Sequence, residues 1–196
     1  FIGSILVSLP LLLITPFIEQ LFFFWTKGKI AFDLALYLTL TLSISFVNYG
    51  KAYVIYLMGI NNLRAVSAIT ISRFIIVFLA GIPLIKVYGI SSLGWSFLAA
   101  EIVSSVILPF IFVKRRLSEN QIHFSTGEYI ISLLPCLLLA AYYFLFFINR
   151  SYFIYLGFIL LMVWATWLQW RALSPIIKNR LLSLAPLPAR FKNIME

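Results

Sequence analysis

The chain reads as long apolar runs separated by short polar segments. A helix that crosses a bilayer needs about 20 mostly apolar residues, within a range of about 17–25, and six runs reach that length. They extend from Phe1 to about Trp25, Ile30 to about Met58, Ala65 to Tyr88, from Gly94 to Val113, Tyr129 to Ile148, and Tyr152 to Trp170. Thr26-Lys27-Gly28-Lys29, Gly59-Ile60-Asn61-Asn62-Leu63-Arg64 and Gly89-Ile90-Ser91-Ser92-Leu93-Gly94 separate the first four. The longest polar segment, Lys114 to His123, precedes the fifth, and Asn149-Arg150-Ser151 precedes the sixth. Barrel strands would show alternating segments of about 10 residues instead. The pattern predicts an all-α polytopic membrane protein, with a six-helix transmembrane bundle over 1–170 and a cytoplasmic or interfacial tail over 171–196.

Composition sharpens this. Of 196 residues, 63% are hydrophobic and 11% charged, against about 45–50% and about 25% in soluble domains. So few polar residues cannot coat a globule, which excludes a soluble enzyme. Cys136 is the one cysteine and His123 the one histidine, so an internal disulfide, a cysteine-rich metal site and histidine-rich zinc or haem ligation are excluded. No metal, cofactor or catalytic residue is expected. The chain opens at Phe1 inside an apolar run, with neither a basic start nor a small-residue cleavage site, which predicts a piece of a longer protein.

The net charge of +9 would suggest nucleic acid on a soluble chain. Here it reads as topology. One side of the six-span arrangement carries Arg64, Lys114, Arg115, Arg116, Arg171, Lys178, Arg180, Arg190 and Lys192; the other carries Lys27, Lys29, Lys86 and Arg150. Basic residues collect on the cytoplasmic side, so the C-terminus is expected there and no nucleic-acid partner is. In the tail, Ser174-Pro175 is a helix-start signal. Ile176, Ile177, Leu181 and Leu184 share a side before Pro186 and Pro188. Either a short helix lies on the anionic leaflet, or the tail is a disordered end whose charges set topology.

Ionisable groups inside spans cost at least ~2.5–3.5 kcal/mol each at the bilayer centre, so Lys51, Arg73 and Glu101 are candidates for function. Lys51 and Arg73 lie at similar depth, roughly 10–12 Å from the cytoplasmic ends of consecutive spans at 1.5 Å per residue. They form either a basic patch flanking one cavity or two side chains that snorkel to lipid phosphates. Glu101 lies near the midplane and is either paired with a cation such as Arg73, a contact for a coupling ion or substrate, or neutral. Asn48-Tyr49-Gly50 beside Lys51 is a place where the helix could unwind, as broken helices do at transport sites. Ser96, Ala100 and Ser104 recur every four residues around Glu101, which suits close helix packing. Pro10, Pro16, Pro83, Pro109 and Pro135 read as packing kinks. The aromatics from Tyr142 to Trp170 read as interfacial belts, with sugar stacking as the alternative. Glu19 and Asp33 read as solvated surface.

The middle of the chain carries a resemblance. Gly59-Ile60-Asn61-Asn62-Leu63-Arg64 lies between two long spans. Gly89-Ile90-Ser91-Ser92-Leu93-Gly94 then leads into a small-residue span closed by Lys114-Arg115-Arg116. With Pro16-Phe17-Ile18-Glu19-Gln20-Leu21-Phe22 in the first span, this resembles the C-terminal half of a bacterial polysaccharide (O-antigen type) flippase, of the superfamily that includes multidrug extruders and lipid II flippases. The resemblance implies one of two six-helix bundles around a central, typically cationic cavity. It also implies an inner-membrane transporter, not an enzyme, that moves an undecaprenyl-diphosphate-linked oligosaccharide to the periplasmic leaflet for lipopolysaccharide synthesis. The partners so implied are the lipid-linked oligosaccharide, membrane lipids and an N-terminal bundle of the same protein. Lys51, Arg73, Glu101 and Asn48 are the substrate-path candidates. The alternatives are a drug/cation antiporter coupled through Glu101 and an integral-membrane glycosyl- or acyltransferase.

Overall fold

The structure is a computed structural model and describes residues 2–121, 125–148 and 152–172. The tail helix expected after Ser174, and His123, lie outside the described residues. Helices account for nearly all of what is described, with no strand among those residues. In order they are α1 (Ile2–Ile14), α2 (Ile18–Thr26), α3 (Leu34–Gly59), α4 (Leu63–Ile76), α5 (Ile82–Tyr88), α6 (Ser91–Glu101), α7 (Leu108–Glu119), α8 (Thr126–Ile148) and α9 (Tyr152–Ala172).

Several of these join end to end. A 3-10 turn at Thr15–Phe17, holding Pro16, links α1 to α2. π-helical turns at Val77–Gly81 and Ile102–Ile107 link α4 to α5 and α6 to α7. Pro83 and Pro109 stand at the start of the segment after each π turn. A proline lacks an N–H and its ring collides with the carbonyl four residues back, and a wider turn accommodates both. Pro10 and Pro135 sit inside α1 and α8 without ending them. Among the described residues, five resulting helices are long and apolar enough to cross a membrane: Gly3–Thr26, Leu63–Tyr88, Ser91–Glu119, Thr126–Ile148 and Phe153–Arg171. Their outward faces are greasy, with Phe24 and Phe153 more than four-fifths exposed.

The second apolar run differs. Its helix, α3, is as long as the others but is not among those five, because its hydroxyls, Asn48 and Lys51 dilute its apolar residues. It is the central helix, packed against α1, α4, α6, α7 and α8. Thr39, Thr41, Ser43 and Ser45 are all buried. The first three return their hydroxyls to carbonyls one turn back, at 2.7–2.8 Å, which satisfies them where no water reaches. Ser45 pairs instead with Ser8 of α1 at 2.6 Å and donates to Cys136 of α8 at 3.2 Å. The Asn48-Tyr49-Gly50 segment is unbroken helix, contrary to the unwinding expected there. Gly50 serves packing: a Cβ on it would lie 2.5 Å from the Ser105 carbonyl oxygen.

The turns are built by local chemistry. Asn61 takes a left-handed φ of 57°; its amide returns to the Met58 carbonyl and that of Asn62 to Leu57, both at 2.9 Å. That double bond is a Schellman cap. Asn62 then caps α4 by accepting from the Ala65 amide, so one short segment closes a helix and opens the next. At the opposite end, Asp33 caps α3 by accepting from the Leu36 amide at 3.0 Å and also accepts the Ser91 hydroxyl at the start of α6. Asp33 is thus a fastener between two helices, not solvated surface. Tyr142 and Tyr143 are also core residues, not belt residues.

Two stability outcomes follow. Gly50→Ala gains helix propensity worth about 1 kcal/mol but drives a methyl into backbone. A net loss of about 1–2 kcal/mol is expected in thermal or denaturant unfolding in detergent, whereas Gly59→Ala, with nothing within 4 Å, should be neutral or better. Asp33→Ala should cost about 1 kcal/mol through the lost cap. The Ser91 hydroxyl, then the Leu36 amide, hold the Asp33 carboxyl below its ordinary range. The stabilisation this charge adds is complete above that range and fades as pH falls through the lowered folded value. The stability gap between wild type and Asp33→Asn, which keeps a cap acceptor, should therefore shrink below about pH 4.

Candidate functional site

Two opposite charges meet near the middle of two of the apolar helices. Arg73 lies on α4, and Glu101 is the last residue of α6 before its π turn. Arg73 Nε is 2.8 Å from Glu101 Oε1, and its Nη2 donates to Oε2 at 2.9 Å. This is a bidentate fork, the stronger geometry for a guanidinium and a carboxylate. Two serines close the clasp. Ser105 donates to Oε2 at 2.6 Å and accepts from Nη2 at 3.2 Å. Ser104 accepts from Nε at 3.2 Å and donates to Oε2 at 3.3 Å.

The burial is unequal. The Glu101 side chain is 5% exposed and that of Arg73 35%. The carboxylate is sunk and fully partnered, while the guanidinium keeps an open side, its Nη1 amine without a partner among the described residues. Both π turns adjoin the clasp: Ile102–Ile107 begins directly after Glu101, and the amide of Val77, where the other starts, returns to the Arg73 carbonyl. Single π turns inside α-helices occur often at functional sites.

Of the three expected ionisable residues, the structure joins Arg73 with Glu101. Lys51 stands apart: it is exposed on α3, with no partner among the described residues. Its chain neighbour Gly50 packs on Ser105, which puts this part of α3 at the level of the clasp. The two cations are therefore not equivalent, since one is neutralised and the other is free. Asn48, one turn before Lys51, donates to the Ile44 carbonyl at 2.9 Å. Ser96, Ala100 and Ser104 are all essentially inaccessible, as close packing requires. Ser105 escaped sequence reasoning; its spacing of four from Glu101, which places both on one helix face, was the signal.

A second concavity, of about 650 Å³, lies between the α1–α2 turn and the facing ends of α8 and α9, with Thr15, Glu19, Phe23, Tyr142 and Tyr155 in its wall. No cluster of three or more His, Cys, Asp or Glu side chains able to hold a metal ion occurs among the described residues. Comparison with protein families, curated proteins and solved structures yields no match to this chain.

The clasp should behave as one unit. Glu101→Ala leaves a guanidinium inside an apolar bundle and should cost about 2–3 kcal/mol, below the ~3–5 kcal/mol of a fully buried pair because Arg73 is partly open. Arg73→Met with Glu101→Met should cost clearly less than the sum of the single changes. A double-mutant cycle on unfolding in detergent checks this, and additive costs would contradict the clasp.

Proposed function

We propose that the chain is the C-terminal six-helix bundle of a bacterial flippase for undecaprenyl-diphosphate-linked oligosaccharide. In this reading it sits in the inner membrane with its C-terminus cytoplasmic, and works against an N-terminal bundle by alternating access. The observation that carries the reading is the Arg73 clasp: a cation fixed at mid-span by a buried carboxylate, yet open on one side. A charge at that depth is costly enough to call for a role. Lys51, exposed and without a partner among the described residues, adds the net positive charge that Arg73 alone no longer supplies. Together they offer a diphosphate one free ammonium and one oriented guanidinium edge.

α3 counts as the sixth span. Its 26 residues cover about 39 Å at 1.5 Å per residue, more than the ~30 Å hydrocarbon core. Its buried threonine and serine hydroxyls are answered within the bundle, so its lower hydropathy is compatible with spanning. The π turns beside Arg73 and Glu101 are natural sites for the register changes that rocking requires. An antiporter coupled through Glu101 would need a carboxylate free to exchange its partner; here it is engaged by four donors from three residues. The oligosaccharide itself comes from the resemblance in sequence pattern.

The test uses the full-length protein. Arg73→Gln with Glu101→Gln removes both charges of the clasp while keeping neutral hydrogen-bonding side chains. Combined with Lys51→Gln, it should abolish surface polysaccharide at an unchanged level of protein in the membrane. Normal polysaccharide in the triple variant would overturn the role given to this site.

A further inference from the structure

We infer that the cleft between the α3–α4 turn and the end of α7 is a binding site for a phosphate group. The cleft has a volume of about 430 Å³, and its wall includes Asn61, Asn62, Arg64, Arg115, Arg116 and Glu119. It lies at the opposite end of α4 from its π turn, and it does not rest on the transport reading.

Three guanidinium groups from two separate helices converge here. Arg64 is the second residue of α4, while Arg115 and Arg116 occupy the last turns of α7. Basic residues that only mark a membrane face gain by spreading apart, because like charges repel. These are gathered instead. Glu119 holds two of them, with Arg115 Nε at 3.3 Å and Arg116 Nη1 at 2.9 Å. One carboxylate against three guanidinium groups leaves positive charge uncompensated, which suits the anionic oxygens of a phosphate group. The bonds to Glu119 also leave Arg115 both Nη amines and Arg116 its Nη2. Arg64 has no partner at all among the described residues.

The neutral donors fit the same ligand. The side-chain oxygen of Asn62 is committed to the Ala65 amide, which leaves its Nδ2 to donate. The opening turn of α4, with its unpaired amides and positive dipole end, lies at this end of the cleft and favours an anion. Guanidinium forks bind phosphate oxygens in pairs, and a cleft of this size admits a phosphate or the headgroup of a phospholipid.

The test compares sources of that phosphate. The purified chain in a neutral detergent is titrated with phosphatidylglycerol and with phosphatidylcholine, reading retained lipid by native mass spectrometry. Inorganic phosphate and pyrophosphate are titrated in parallel by tryptophan fluorescence, against chloride at equal ionic strength. Arg64→Gln with Arg116→Gln should weaken the bound probe by at least about tenfold, the loss of one charge-assisted hydrogen bond of about 1.5–3 kcal/mol. Lys86→Gln, on α5 outside the cleft, removes the same single charge as Arg64→Gln alone and should leave binding intact. Preference for phosphatidylglycerol that inorganic phosphate does not displace identifies a lipid headgroup; displacement, or saturable binding of the inorganic ions, identifies the phosphate itself. Should the double variant fail to fold, Arg64→Gln alone, at an exposed and unpartnered side chain, should still weaken binding several-fold. The inference is overturned if neither probe binds above the chloride control, if the cleft variants bind like wild type, or if Lys86→Gln loses as much.

Discussion

Hydrocarbon supplies no hydrogen bonds, so each polar group that an apolar helix carries into a membrane has to be answered within the protein. That constraint organises this fold. Glu101 is answered by Arg73, Ser104 and Ser105, and Arg73 by the same carboxylate and serines. The hydroxyls of α3 are answered by its own carbonyls or by α1 and α8. Tyr129 of α8 donates to the Val106 carbonyl at 2.6 Å, a carbonyl of the π turn, where the regular ladder is interrupted. These polar bonds tie α3 to α1 and α8, α4 to the α6–α7 helix, and α8 to the π turn.

Satisfying them requires close approach, and small residues provide it. Gly50 lies on the backbone of Ser105, and a Cβ on Gly94 would fall onto Thr39. Both contacts seat α3 against the α6–α7 helix, and both flank the stretch where Glu101 meets Arg73. Helices brought together by small residues gain van der Waals contact as well as short hydrogen bonds, which matters where no hydrophobic force drives them together. Pro83 and Pro109 follow the two π turns, so the irregular backbone is concentrated next to the charged pair.

Much of this was legible in the sequence because apolar run length and turn residues are local signals. Gly59 to Arg64 reads as a turn, and the structure resolves it into two asparagines that end one helix and start the next. The midplane position of Glu101 left three readings open, a pair with a cation such as Arg73 among them, and the structure adopts the pair. What the sequence concealed depended on direction around a helix axis. From Leu38 to Ser45 apolar and hydroxyl residues alternate, and on a helix that period distributes hydroxyls over two faces. Such a helix is stable only when protein covers both, which is how α3 becomes central. Asp33 looked like surface because its partner, Ser91, is 58 residues away, and Ser105 looked like one more small residue.

The coverage of α3 has one gap. Ile44, Lys51 and Ile55 are exposed, with Asn48 half-buried among them, and their spacing follows one helical stripe. Thr39, Thr41, Ser43 and Ser45 of this helix are enclosed; along this stripe a half-buried amide and an exposed ammonium stand between exposed isoleucines. Lipid would reward the isoleucines and penalise the ammonium at that depth, so bare hydrocarbon is a poor match for the stripe as a whole. A facing protein surface with a water-filled cleft satisfies both, by covering the apolar side chains while leaving the charge hydrated. On the transport reading, that surface is the second bundle. On the same reading, the asymmetry between the neutralised Arg73 and the exposed Lys51, which has no partner among the described residues, has a mechanical sense: one cation is fixed in the wall while the other can follow an anion as the bundles rock.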